Sequence, residues 1–392
     1  MRFIPKVAIP AFRTAAISLF VIGTALGQSG QLDFTEEVIH VGKEPGPIAV
    51  ADVNHDGKPD IIVGNMADGT LSVLLGDGRG HFTPATGSPF PCNANPNDIA
   101  VRDMNGDGHP DLVIANTQTP YITILLGDGK GGFKPSPHSP FATQSYPHPH
   151  GVVVGNFIGD GREAVVTDSW GHNQILLIPS DGKGDLILPG RLFSADLHAD
   201  SGVGTADFNK DGNLDIVTVD QSKNVIGLLL GDGKGGFRKT PGSPFPAGDT
   251  PWSFTVGDVN GDGNPDVAVI PYQRDMRDPS RPGVTILLGN GKGGLETMPG
   301  SPFSLGSCKG ASRIAIGDIK GDGSREIVVS CAESDELVFF FRRTKNGAFE
   351  TFSRKVSTGW GLLALADLTG SGKDDVLVSN NKEGTLTILR SK

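Results

Sequence analysis

Aromatic residues are scarce in this chain. They make up 7% of it, with three Trp and three Tyr, so a core must come from its regular aliphatic runs. Cysteine is also rare. Cys92, Cys308 and Cys331 allow at most one bridge. Cys308 and Cys331 flank the loop of one repeat and are the expected pair, leaving Cys92 free; three free thiols is the alternative. Basic residues are outnumbered, with 34 Lys and Arg against 44 Asp and Glu, and such a surface repels nucleic acid. Long apolar runs are missing except for one, Ala15 to Leu26. It follows Arg2, Lys6 and Arg13 and ends among the small residues Ala25 and Gly27. That is the pattern of a secretory signal peptide cut after Gly27, and the run is too short for a membrane-spanning helix. An uncleaved anchor is the alternative. Residues 1–27 are read as a leader, 28–392 as one domain, and the mature protein as secreted or periplasmic. No other segment is long and apolar enough to span a membrane.

Glycine and proline are abundant, at 56 and 28 residues, and would indicate disorder if they lacked a period. They recur at fixed places, because one acidic loop is repeated down the chain. Four copies read D-x-N-x-D-G-x-x-D, beginning at Asp52, Asp103, Asp207 and Asp258, and three decayed copies begin at Asn156, Asp318 and Asp367. The spacings are 51, 53, 51, 51, 60 and 49 residues. A length of 392 residues would ordinarily mean two or three domains. A period near 50 means one closed array instead.

Each period reads as four strands. In the first, Ile48–Ala51 precedes the loop, Asp60–Val63 follows it, Leu71–Leu75 comes after a turn, and a weaker strand starts near Phe82 beyond a Gly-rich hairpin. Small residues stand three before each loop (Ala49, Ala100, Val153, Gly204, Thr255, Ala315, Ala364), and bulky ones alternate with them. Each blade then offers a small face to one neighbour and a bulky face to the other. Arg102 breaks the pattern and is expected to reach a central channel. The last repeat ends after its third strand, and Asp33–Ile39 resembles a lone fourth one. The fold expected is all-β: a seven-bladed β-propeller of four-stranded antiparallel blades, closed by the N-terminal strand.

The complete loops point to a hard cation. Side chains one, three, five and nine supply three carboxylates and an amide oxygen, and the seventh residue supplies its backbone carbonyl. The four sets are Asp52, Asn54, Asp56, Lys58 and Asp60; Asp103, Asn105, Asp107, His109 and Asp111; Asp207, Asn209, Asp211, Asn213 and Asp215; and Asp258, Asn260, Asp262, Asn264 and Asp266. All-oxygen donors suit Ca²⁺ rather than zinc or copper, so about four calcium sites are expected. A plain Asp-Gly turn is the alternative. In the decayed copies Ile158 and Ala164 replace ligands three and nine, Lys320 places an ammonium between Asp318 and Asp322, and Thr369 and Ser371 replace the middle ligands of the last loop.

The unit ADVNHDGKPDIIVGNMADGTLSVLLGDGRGHF resembles the FG-GAP-type VCBS repeat, related to the calcium-bearing blades of the integrin α-chain head. The resemblance covers residues 31–392. It implies a propeller with calcium and leaves function open among adhesion modules, lectin-like binders and accessory domains of enzymes. Two G-x-G-x-x-G strings, at Gly127 and Gly231, have no helix pattern after them and read as hairpins rather than dinucleotide sites. Gly370–Lys373 lacks the flanks of a P-loop. The S-P-F triplets at Ser88, Ser139, Ser243 and Ser301 are read as structural ends of fourth strands.

The rim opposite the acidic loops is irregular, and variation on one face of a repeat array marks its binding face. His150, Trp252 and Trp360 enter inner strands there, Trp170 and His172 lie in a neighbouring turn, and Tyr272–Pro282 is an insertion. These residues indicate a carbohydrate or surface-protein ligand. The alternative is a lyase-type enzyme on polysaccharide, with His150, His172 or Lys223 as base. Plugging of the propeller by the indoles, and ordinary surface histidines, are the plain alternatives. No catalytic residues are assigned, and the oligomeric state is not legible.

Overall fold

A computed structural model describes residues 32–144, 148–169, 174–194, 197, 202–271, 283–342 and 349–392. The expected leader, residues 1–27, and Trp170, His172 and Tyr272–Pro282 lie outside the described residues. Runs of branched aliphatics bounded by Asp, Gly and Asn become strands buried along their length, as in Asp60–Asn65, Asp111–Asn116 and Asp215–Asp220. Such strands need cover on both faces, and blades stacked around an axis provide it.

The strands form seven antiparallel sheets of four, three of them with a short extra strand. The innermost strands are Pro45–Ala51, Pro96–Arg102, Val152–Gly155, Val203–Ala206, Pro251–Gly257, Ala311–Gly317 and Leu363–Ala366. Each leads into an acidic loop and then the second strand of its blade. Seven clusters of buried side chains make the core, and each joins two adjacent blades. The seventh joins Leu377, Leu386 and Ile388 of the last blade to Ile61, Val63 and Leu74 of the first, so the ring is closed.

Phe34–His40 completes the last blade by pairing with Thr385–Ser391 over its whole length. Phe34 is buried against Phe339, with ring centroids 5.4 Å apart. Lys392 Nζ lies 2.7 Å from Asp33, and Arg390 pairs with Glu37. The small-against-bulky pattern also holds. A Cβ on Gly204 would sit 2.9 Å from Phe254, and one on Gly317 would sit 2.9 Å from Leu365, in each case a residue of the next blade.

Cys308 and Cys331 are disulfide-bonded, fastening the entry of blade six to the end of its second strand. Cys92 is free and buried, and burial pushes its thiol up to about 12. The S-P-F triplets are structural, but they follow the fourth strands rather than ending them. Each serine Oγ accepts the N–H of a third-strand residue: Val73, Ile124, Leu228 and Ile286. The phenylalanine then pairs back onto that strand or bridges beside it.

Candidate functional site

Every acidic loop is held by its second residue. Val53, Met104, Phe157, Phe208, Val259, Ile319 and Leu368 are all buried beneath the rim. The first residue then organises the turn: Asp52 Oδ1 and Oδ2 accept the N–H groups of Asp56 and Gly57, at 3.1 and 2.8 Å. Asp103, Asp207 and Asp258 do the same for Gly108, Gly212 and Gly263. Asn54, Asn105, Asn209 and Asn260 accept the N–H of the fifth residue. Asp56, Asp107, Asp211 and Asp262 accept that of the seventh, namely Lys58, His109, Asn213 and Asn264.

The ninth residue has a second task that its spacing does not reveal. Asp60 is fully buried, and its two oxygens accept Val53 N–H at 2.9 Å and Gly76 N–H at 2.8 Å, tying loop to third strand. Asp111, Asp215 and Asp266 repeat the bond to Gly127, Gly231 and Gly289. Those glycines are required, because a Cβ on Gly76 would meet the carbonyl of Pro59 at 2.2 Å. Burial pushes Asp111, Asp215 and Asp266 up to about 6, against the backbone donors and with a further push from the loops' own acids. Asp60 is raised for the same reasons.

The donor chemistry fits a hard cation: oxygens only, with crowded negative charge at the ninth residue. A carboxylate oxygen that accepts one N–H keeps a second lone pair. The donors are not drawn together as a finished cage, however. Among the described residues no three His, Cys, Asp or Glu side chains are grouped so that they could hold a metal ion.

Two of the three decayed loops carry their own cations, while Lys373 of the last donates to the Lys392 carbonyl. Arg162 donates to Asp160 Oδ2 through Nη2 at 2.6 Å and Nε at 3.0 Å. Lys320 was expected between Asp318 and Asp322; its charge acts on Asp322, its salt bridge is to Glu326, the ninth residue, 3.3 Å away, and its Nζ lies 4.7 Å from the Phe341 ring centroid. Among the complete loops, only the first has a comparable ion pair in the described residues, Lys58 to Asp56 at 3.4 Å.

The opposite rim opens into an axial cavity of about 400 Å³. Asn97, Asp98, His150, Trp252 and Arg313 line it, from blades two, three, five and six. Strand irregularities explain their presentation. The register shifts between Pro96 and Asp98, between Pro251 and Ser253, and between Ala311 and Arg313. Each bulge adds one residue, respectively Asn97, Trp252 and Ser312, and bulges re-aim side chains. Asn97 Nδ2 donates to the His150 carbonyl at 2.6 Å. The His150 ring stands edge-on to Trp252 at 6.4 Å and has His148 beside it, with ring nitrogens 3.3 Å apart. Burial holds His148 below the ordinary histidine range. Behind them Asp168 accepts the N–H groups of His150 and Gly151 through Oδ1, and burial pushes it up to about 7.

His150 and Trp252 are thus brought together. Trp360 is not with them. It is 44% exposed and lines a separate cleft of about 930 Å³ with Lys43, Glu44, Asp68, Lys382 and Glu383. Arg102 does not line the axial cavity; it is exposed at the acidic end of its strand, near Glu163. The arginine that does is Arg313, which no local motif announces. The one available signal was its position, at the bulged entry of an inner strand.

Residues 52–114, 103–167 and 207–269 match the FG-GAP-like repeat family. No curated protein sequence matches the chain. Among solved structures, the chain is similar to BBS1N in its complex with ARL6DN, at 12% identity and a TM-score of 0.61, covering 92% of this chain and 97% of that one. It is similar to an Agrocybe aegerita lectin that recognises non-reducing terminal N-acetylglucosamine, at 16% identity and a TM-score of 0.54, covering 90% and 86%. It is also similar to virginiamycin B lyase from Staphylococcus aureus, at 13% identity and a TM-score of 0.54, covering 92% and 100%. At these identities the likeness is one of fold.

Proposed function

We propose that this chain, an FG-GAP-repeat β-propeller, is an exported calcium-binding module that holds a carbohydrate, or a surface protein, at the rim opposite its acidic loops. The observation that carries the reading is the axial cavity, where an indole, an imidazole, a carboxylate and a guanidinium converge from four blades. A flat apolar face among directional donors and acceptors is what a sugar ring requires. The lectin of similar fold is consistent with this and adds only analogy.

Asp52, Asn54, Asp56, Asp60 and the Lys58 carbonyl would hold one calcium, and the equivalent residues of loops two, four and five three more. Bound calcium supplies positive charge where the carboxylates crowd. The chain's own residues do the rest: the second residue anchors the loop, and the ninth ties it to the third strand. A ligand bound by the folded state alone stabilises it by RT ln(1 + [L]/Kd), about 2.7 kcal/mol at a hundredfold excess. Export is read from residues 1–27. Extracellular calcium fills sites with Kd of ~10⁻⁴–10⁻³ M.

Retention of glycans from a broad array by the calcium-loaded protein tests the reading. Retention that is lost in Trp252→Ala is expected. Retention of none would refute the carbohydrate reading and leave a protein partner, and retention indifferent to that change would take the ligand away from the axial cavity. His150 in one cavity with Arg313 favours a second reading, a lyase on polysaccharide, and release of shortened products from the same array would establish it. Of the other candidate bases, Lys223 lies 3.4 Å from Asp220, and His172 is outside the described residues.

A further inference from the structure

Asp98 and Arg313 are the charged residues that line the axial cavity, and they interact through space without a salt bridge. Their hydrogen bonding is unequal. Asp98 spends one oxygen on Ile99 N–H and the other on Val152 N–H, both at 2.9 Å. Arg313 makes one hydrogen bond among the described residues, from Nη1 to the carbonyl of Ser312 at 2.8 Å. A guanidinium has five N–H donors in a planar fork, and its matching acceptor is a carboxylate. Solvent contact leaves Arg313 only half-buried, yet protein surrounds it, so it is reached along the shaft and poorly hydrated there.

The surroundings suit a sugar that carries that carboxylate. Trp252, on its bulge, gives an apolar platform, and Asn97 and His150 stand at the same mouth. Burial raises Asp98, against its two backbone N–H donors and the charge of Arg313, and both Asp98 oxygens are already taken by those donors, whereas the guanidinium keeps donors to spare. The volume, about 400 Å³, falls within the range of small-molecule sites. We infer that the axial cavity binds a uronic acid unit of an acidic glycan, with Arg313 on the carboxylate and Trp252 against the ring. This rests on the carbohydrate reading above and narrows it to one class of sugar.

The test is calorimetric titration of galacturonate and glucuronate trimers into the calcium-loaded chain, beside the same trimers with their carboxyl groups chemically reduced to alcohols. The acidic trimers should bind about tenfold more tightly or better. Arg313→Gln should erase that margin and leave the reduced trimers unaffected, whereas Asp98→Asn should keep or widen it. Equal binding of acidic and reduced trimers would overturn the inference while the carbohydrate reading stood. Binding of neither kind would overturn it too, and glycan retention on the array would then decide the broader reading separately. If Arg313→Gln does not fold, a fall in acidic-trimer affinity in Asp98→Asn is the contradicting result.

Discussion

Blades two, four and five build the acidic loop on the same frame as blades three and six, and they balance its charge differently. The frame is common to all: the second residue is buried, and the first accepts backbone N–H groups of the turn, whether it is Asp103, Asn156 or Asp318. In blade three Arg162 sits on Asp160, and in blade six Lys320 sits on Glu326. In blades two, four and five no lysine or arginine makes a salt bridge to the loop carboxylates among the described residues, and Asp111, Asp215 and Asp266 are pushed up to about 6. The chain therefore shapes the loop by itself. What the loops of blades two, four and five lack, among the described residues, is a lysine or arginine salt-bridged to their carboxylates, and that is the charge calcium would supply.

The largest effect that follows is on the complete loops together. Chelation should lower the melting temperature by several degrees or more while leaving the β-rich circular dichroism in place. An unchanged melt would remove calcium from the account. Next come single loops. Asp207→Ala removes two turn hydrogen bonds in either condition and should cost about 1–3 kcal/mol more in saturating calcium than in chelator, whereas Asp160→Ala, which breaks an exposed pair, should cost under ~1 kcal/mol in both conditions. Denaturant titrations with and without calcium compare them, and equal calcium dependence would erase the distinction. The comparison can also be reversed: Lys320→Asn with Glu326→Asp restores D-x-N-x-D-G-x-x-D in blade six and should add one bound metal by elemental analysis.

A further effect is independent of calcium. Asp168 holds its proton up to about pH 7 when folded and to about 3.9 when unfolded. The folded state binds that proton more tightly, so its contribution to stability falls as pH rises from about 4 through 7. Asp168→Asn should flatten that part of the stability profile in chelator and in calcium alike, and an identical slope in the variant would contradict it.

The repeat, the four-strand unit and the small and bulky faces were legible in the sequence because each is written in local spacing, and the closing strand because the last repeat is one strand short; Cys308 and Cys331 were marked as the candidate pair by lying in one repeat, while their bonding was left open. The second task of Asp60 was not, since its partner Gly76 lies across a hairpin and only the folded approach of the Pro59 carbonyl explains that glycine. The charge of Lys320 does act on Asp322, but its salt bridge was not legible. Loop spacing put it with Asp318 and Asp322, while its salt bridge goes to Glu326 at the head of the next strand. The axial cavity was half legible. His150 and Trp252 were singled out by position, but Asp98 and Arg313 lie 215 residues apart and meet only because the ring brings blades two and six to one axis.

Equilibrium dialysis of the protein against millimolar calcium, with bound metal counted per chain, tests the central contrast most directly. Four calcium ions, falling to three in Asp207→Ala and unchanged in Asp160→Ala, is the result expected. No bound calcium, or a count indifferent to Asp207, would contradict it.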